Sequence, residues 1–271
     1  MSTRAWRLLR AGGDAPAVLC VDYSQTQARA EATFHDLAAA LPARYPVWGT
    51  DEGAWRDEDL PAEPVAEIAA ILGFCAGASL ACALADRVAR RTGTPPPLVL
   101  FDPWAVTAAA LLHEFGRAVE GVAAGVAPER LDAAKAEARE LLSGYADRSG
   151  PRLAPLADAL ADHYAALARP ACAAQRVPER IVDQLCARTR GFLDYLVRSA
   201  SVPLRCPTPA LVVTAAGFEP PPVSGPHRVL HLDVDHPGLL AAPEATAAVA
   251  RTLDGDAEVG QPRSEPSEVR W

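Results

Sequence analysis

Short uncharged apolar runs alternating with helix-length stretches constrain this chain more than any other feature of it. Ala17-Val18-Leu19-Cys20-Val21 reads as a buried strand, and Gln27 to Leu41 has a helical pattern with Phe34, Leu37 and Leu41. Tyr45 to Gly49 is a second strand, followed by a polar stretch from Thr50 to Pro64. Ile68 to Gly73 is a third strand and leads into a helix from Ala78 to Arg91. Pro97 to Phe101 is a fourth, closed by Asp102-Pro103. Strands spaced by helices of about 10–15 residues predict βαβ units and a parallel sheet.

The middle of the chain departs from this rhythm. From Thr107 to Val197 the pattern is helical and alanine-rich, with breaks expected near Gly121, Gly125 to Pro128, Gly144, Gly150-Pro151 and Pro170. Strands resume at Ala210 to Thr214 and, after a proline-rich loop over Phe218 to Pro226, at His227 to Val234. Pro243 to Leu253 is the last helix. The expected organisation is an α/β core over 1–106 and 201–256, a helical insertion over 107–200, and a flexible tail over 257–271.

Half of the 271 residues are apolar, enough for one substantial core but not comfortably for two full domains. Lysine and arginine total 26 against 34 acidic residues, for a formal charge of -8, which gives no support to nucleic-acid binding or polybasic membrane attachment. Arg4, Arg7 and Arg10 precede no apolar signal region, and no run of about 18 apolar residues exists. The reading is a cytoplasmic protein. Six cysteines without C-x-x-C spacing fit a reducing compartment.

The sharpest local signal is Gly73-Phe74-Cys75-Ala76-Gly77, between a strand and a helix. Two glycines flanking a nucleophile there match the G-x-S-x-G elbow, with cysteine in place of serine. Side chains at the flanking positions would collide with strand or helix. Cys75 would project above the sheet edge, and the Ala76 amide would face an oxyanion from the helix N-terminus. The same helix end is expected to lower the thiol pKa.

A cysteine nucleophile needs a base. His236 lies just after the last strand and before the last helix, where an elbow hydrolase places its histidine. The acid is Asp102, directly beyond a strand end, or Glu219, in a looser loop; the tighter position favours Asp102. Cys75, Asp102 and His236 together would perform nucleophilic acyl chemistry. No His/Asp/Glu cluster has metal-ligand spacing, so neither metal nor cofactor is expected.

These pieces resemble an α/β-hydrolase of the thioesterase type that releases chains from polyketide and nonribosomal peptide assembly lines. The resemblance covers the strand Ala17 to Val21 with the Tyr23-Ser24 loop, the elbow, the acid strand Leu98 to Asp102, and Asp235-His236-Pro237 through Leu253. The insertion matches the family's helical lid in position and helicity only. The resemblance implies a mostly parallel sheet with helices on both faces, and an oxyanion hole from Ala76 with an amide near Tyr23 or Ser24.

Cysteine as nucleophile resembles the stand-alone Dieckmann cyclases, which close tetramate, tetronate or pyridone rings in antibiotic biosynthesis, and the acyl-shuttling transferases. The implied partner is an acyl or peptidyl carrier protein, delivering its acyl chain on phosphopantetheine. The implied reaction is cyclising release of a β-ketoacyl or β-ketoacyl-aminoacyl chain through a Cys75 acyl-enzyme. The alternatives are a cysteine thioesterase or acyltransferase, and an inactive hydrolase scaffold that binds carrier or acyl chain. Trp104, Phe115, Tyr145, Tyr164, Phe192, Tyr195 and Leu196 would enclose a greasy chain or form the insertion's own core. The oligomeric state is not legible.

Overall fold

The computed structural model of the chain describes residues 5–23, 32–51, 67–146 and 148–255. Ser24, the first part of the helix expected from Gln27, most of the polar stretch before Pro64 and the 257–271 tail lie outside the described residues.

Seven strands form one sheet: β1 (Trp6–Arg10), β2 (Ala17–Val21), β3 (Val47–Thr50), β4 (Ile68–Phe74), β5 (Leu98–Phe101), β6 (Ala210–Thr214) and β7 (His227–His231). Their order is β1-β3-β2-β4-β5-β6-β7, and every pair is parallel except β1 with β3. The central strands read as unbroken apolar runs because both faces are covered. Val18, Cys20, Leu72, Val99, Phe101 and Val213 enter the core under α1 (Phe34–Ala40) and α7 (Pro243–Leu253). Leu19, Val21, Ile71, Leu98, Leu100 and Val212 enter the opposite core, under α2 (Gly77–Thr92). Each fully buried Leu, Val or Phe in these layers contributes about 1.5–3 kcal/mol.

β1 was not expected. The arginines that make Trp6 to Arg10 look like a polar terminus serve the fold: the Arg10 guanidinium donates to the carbonyls of Leu41, Pro42 and Tyr45 at 2.5, 2.7 and 2.9 Å. It thereby satisfies backbone acceptors where α1 turns into β3. β7 ends at His231, short of the expected Val234; the following residues return by Leu232 N–H to Thr214 O and Ala216 N–H to Val234 O.

Among the described residues, four α-helices stand between β5 and β6: α3 (Ala108–Val122), α4 (Pro128–Ser143), α5 (Ala154–Ala174) and α6 (Glu179–Ala200). Breaks fall at 123–127, near Gly144 and at Gly150-Pro151 as expected, but Gly121 lies inside α3, and the chain breaks at 175–178 because Pro170 does not end α5. It lies in the last turns, where a missing N–H removes one bond from a helix already held by buried Leu160, Tyr164 and Leu167. A mostly parallel sheet with helices on both faces and this insertion is the α/β-hydrolase fold.

Candidate active site

The three residues singled out by sequence sit on loops leaving the carboxyl ends of β4, β5 and β7, one edge of the sheet, where open α/β folds bind ligands. Cys75 has φ 51°, in the left-handed region that non-glycine residues enter at a cost. Its turn is over-determined. Cys75 N–H donates to Phe101 O at 2.9 Å, extending the β4–β5 ladder, and its carbonyl accepts from Ala78 N–H at 3.2 Å and Trp104 N–H at 3.1 Å.

The flanking glycines are sites of close approach. A Cβ on Gly77 would lie 2.3 Å from Val21 O, and one on Gly73 would lie 2.8 Å from Ala78 Cα. Neither backbone can yield without moving strand or helix. Gly77→Ala is therefore expected to destabilise the protein by about 1–3 kcal/mol. Gly116→Ala, inside α3 with nothing within 4 Å of the new methyl, should instead be neutral or stabilising, by up to about 1 kcal/mol. Thermal unfolding of the two variants checks the opposite signs.

Asp102 also has positive φ, 39°, and is fully buried. Its N–H continues the ladder to Val213 O at 2.9 Å. Its carboxylate is fully engaged: Oδ1 accepts Ala215 N–H at 2.8 Å, and Oδ2 lies 2.6 Å from His236 Nδ1. Glu219 is exposed and takes no part in this contact. His236 opens a 3₁₀ turn, His236–Ala241, capped by Asp235, whose Oδ1 accepts Gly238 N–H at 2.9 Å. The imidazole stacks on Phe74 at 5.0 Å and 17°, with Phe218 stacked at 6.4 Å and 16°. Sequence reading missed both aromatic walls, although Phe74 stands inside the elbow motif.

The thiol departs from expectation. Burial, with the Asp22 carboxylate as the next cause, pushes Cys75 up to about 12, although the Ala76 amide hydrogen-bonds its sulfur and pulls the other way. Desolvation of the thiolate outweighs the helix N-terminus. Part of the residue still reaches solvent. Burial nonetheless disfavours the thiolate at this position. No hydrogen bond joins Cys75 Sγ to His236 among the described residues; such contacts commonly tighten only with substrate bound.

Tyr23 N–H donates to its neighbour Asp22 Oδ1 at 2.7 Å, and its hydroxyl donates to Arg188 O at 3.1 Å. Its ring meets Phe192 at 5.0 Å and Tyr195 at 5.4 Å, joining the end of β2 to α6. Of the expected chain-enclosing residues, Phe115, Tyr164, Tyr195 and Leu196 are buried in the core, while Trp104, Tyr145 and Phe192 are only partly covered. A cavity of about 390 Å³ between α3 and α4 includes none of Cys75, Asp102 or His236; its Lys135 pairs with Glu120 at 3.2 Å. No described helix is long and apolar enough to cross a membrane.

The sheet order and the elbow are those of the α/β-hydrolase fold. No family model and no curated protein matches its sequence. Among solved structures, the four-domain nonribosomal peptide synthetase AB3403, bound to AMP and glycine, matches at TM-score 0.50 and 16% identity over 94% of this chain. This chain spans 20% of that one. The Vlm2 thioesterase domain bound with a dodecadepsipeptide matches at TM-score 0.46 and 17% identity, over 93% of this chain and 96% of that one. The type II thioesterase BorB from the borrelidin biosynthetic cluster matches at 0.45 and 17%, over 94% and 98%. At these identities the likeness is one of fold.

Proposed function

We propose that this protein is a thioester-processing enzyme in which Cys75 accepts an acyl group from a carrier-bound thioester and passes it on. One observation carries the reading: a buried carboxylate 2.6 Å from the Nδ1 of His236, on the same sheet edge as a cysteine in a strained elbow. Asp102 holds His236 in the tautomer with Nδ1 protonated and Nε2 free to accept. His236 takes the Cys75 proton as the sulfur adds to the thioester carbonyl. The Ala76 amide, with one near Tyr23 or Ser24, receives the oxyanion. The carrier thiolate leaves with the proton from His236, and the chain remains on Cys75 as a thioester.

The second half-reaction is what a thioester intermediate favours. The acyl carbon stays as activated as in the donor, so it suits attack by carbon, nitrogen or another thiol as well as by water. The finer reading is a Dieckmann-type release. His236 takes a proton from the methylene between two carbonyls, and the carbanion attacks the Cys75 thioester. Ring closure expels the Cys75 thiolate, which recovers the proton from His236. Hydrolysis and transfer to a second carrier are the coarser outcomes of the same site.

The test is the product formed from a synthetic carrier-bound β-ketoacyl-aminoacyl thioester. A released species one water lighter than the linear acid supports ring closure. The linear acid alone returns the protein to a cysteine thioesterase, and a newly loaded second carrier makes it a transferase. No turnover of any thioester overturns the enzyme reading.

A further inference from the structure

We propose that the Asp22 carboxylate is a charge latch on this site: it holds the Tyr23 amide and opposes negative charge on Cys75 and on the oxyanion that forms there. The placement follows from the sheet. β2 and β4 run parallel with Val21 opposite Gly73. The pairing ends there, so Asp22 and Tyr23 leave the sheet beside the strand that runs on through Phe74 into Cys75. The Val21 carbonyl lies against Gly77, so the end of β2 abuts the first turn of the elbow helix.

The Asp22 backbone is fixed by β3. Its N–H donates to Thr50 Oγ1 at 3.1 Å, and its carbonyl accepts from the same hydroxyl at 2.5 Å. Thr50 is 1% exposed, so this anchor is dry. With the main chain held, the side chain turns back and Oδ1 accepts Tyr23 N–H at 2.7 Å. The Tyr23 amide, one of the oxyanion donors named in the proposed function, already serves a carboxylate here. An acyl oxyanion at Cys75 would compete for that donor and meet a like charge beside it.

Among the described residues, the titratable groups that act on Cys75 or are acted on by it are Asp22 beyond β2, Glu114 of α3, Asp102 beyond β5 and Tyr195 of α6, and His236 follows β7 on the same sheet edge. Among the carboxylates acting on Cys75, Asp22 ranks first and Asp102 last. Asp22 also acts on Tyr195 of α6. The latch opens when the carboxylate turns away, takes up a proton or meets a donor on the substrate. Asp22 is thus a positioning residue that acts through the Tyr23 amide and the Cys75 charge.

The inference rests on Cys75 being the nucleophile, and its test needs no thioester. Iodoacetamide alkylation of the full chain, read by peptide mass at Cys75 across pH, reports where the thiolate forms as it displaces iodide. Asp22→Asn keeps the shape and an acceptor oxygen but removes the charge. Its profile should move to lower pH by about one unit, which is about tenfold in rate at a fixed pH below the inflection. Asp22→Glu should follow wild type, and Cys186, partly exposed on α6, should be unchanged in all three proteins. An Asp22→Asn profile superimposed on wild type overturns the latch, as does Asp22→Glu moving with Asp22→Asn. Failure of wild type to turn over thioesters would count against the proposed function and leave this result standing.

Discussion

Asp102→Asn is expected to lower kcat for thioester turnover by about 10³–10⁴-fold with little change in KM. The carboxylate has two jobs in the structure, accepting Ala215 N–H on Oδ1 and facing His236 Nδ1 on Oδ2. Asparagine can keep the first. At the second it presents an N–H₂ donor, so Nδ1 must become the acceptor and the proton moves to Nε2. A ring protonated at Nε2 cannot take the proton of a thiol, and burial pushes this thiol up to about 12. The fold should survive, because asparagine tolerates the left-handed backbone that Asp102 adopts at φ 39°. Glu219→Gln, at an exposed position, should change kcat/KM by less than about twofold. The reverse ranking of the two variants would transfer the acid's role to Glu219.

The strands and the elbow were legible because their causes are local. Unbroken apolar runs mark strands covered on both faces. Gly73 and Gly77 signal close approach at the positions where a Cβ would strike Ala78 Cα or Val21 O. The tight strand end favours Asp102 over Glu219 in the sequence, and the structure brings Asp102 to His236. What escaped sequence reading depends on partners far away in the chain. β1 carries an arginine whose acceptors lie 31 to 35 residues on. Phe74 and Phe218 become walls for His236 only once β4 and the loop after β6 reach one edge. The thiol's environment is also a tertiary matter. A helix N-terminus is visible in sequence, whereas the burial that overrides it, and the Asp22 carboxylate across the sheet, are not.

The other large effect is at Cys75. Cys75→Ala removes the sulfur and should abolish covalent acyl transfer, leaving Asp102 and His236 in place but without a nucleophile to serve. Cys75→Ser is the more discriminating change. In the proposed mechanism His236 removes a proton during attack, so a hydroxyl can be activated by the same route, and some acylation should persist. The oxoester it forms is a poorer electrophile than a thioester toward a stabilised carbanion. The variant should therefore stall as an ester or hydrolyse, shifting product from ring toward linear acid. Positive φ at this position burdens serine, cysteine and alanine alike, so none of the substitutions disturbs the elbow more than the native residue does.

Intact mass of the protein, taken within the first turnovers after mixing with a carrier-bound β-ketoacyl-aminoacyl thioester, tests the central claim most directly. Wild type should gain the mass of the acyl chain, with peptide mapping placing it on Cys75 and on none of the other five cysteines. Cys75→Ala should gain nothing under the same conditions. Product formation by Cys75→Ala at the wild-type rate, or an acyl group mapped to another residue, would contradict the account.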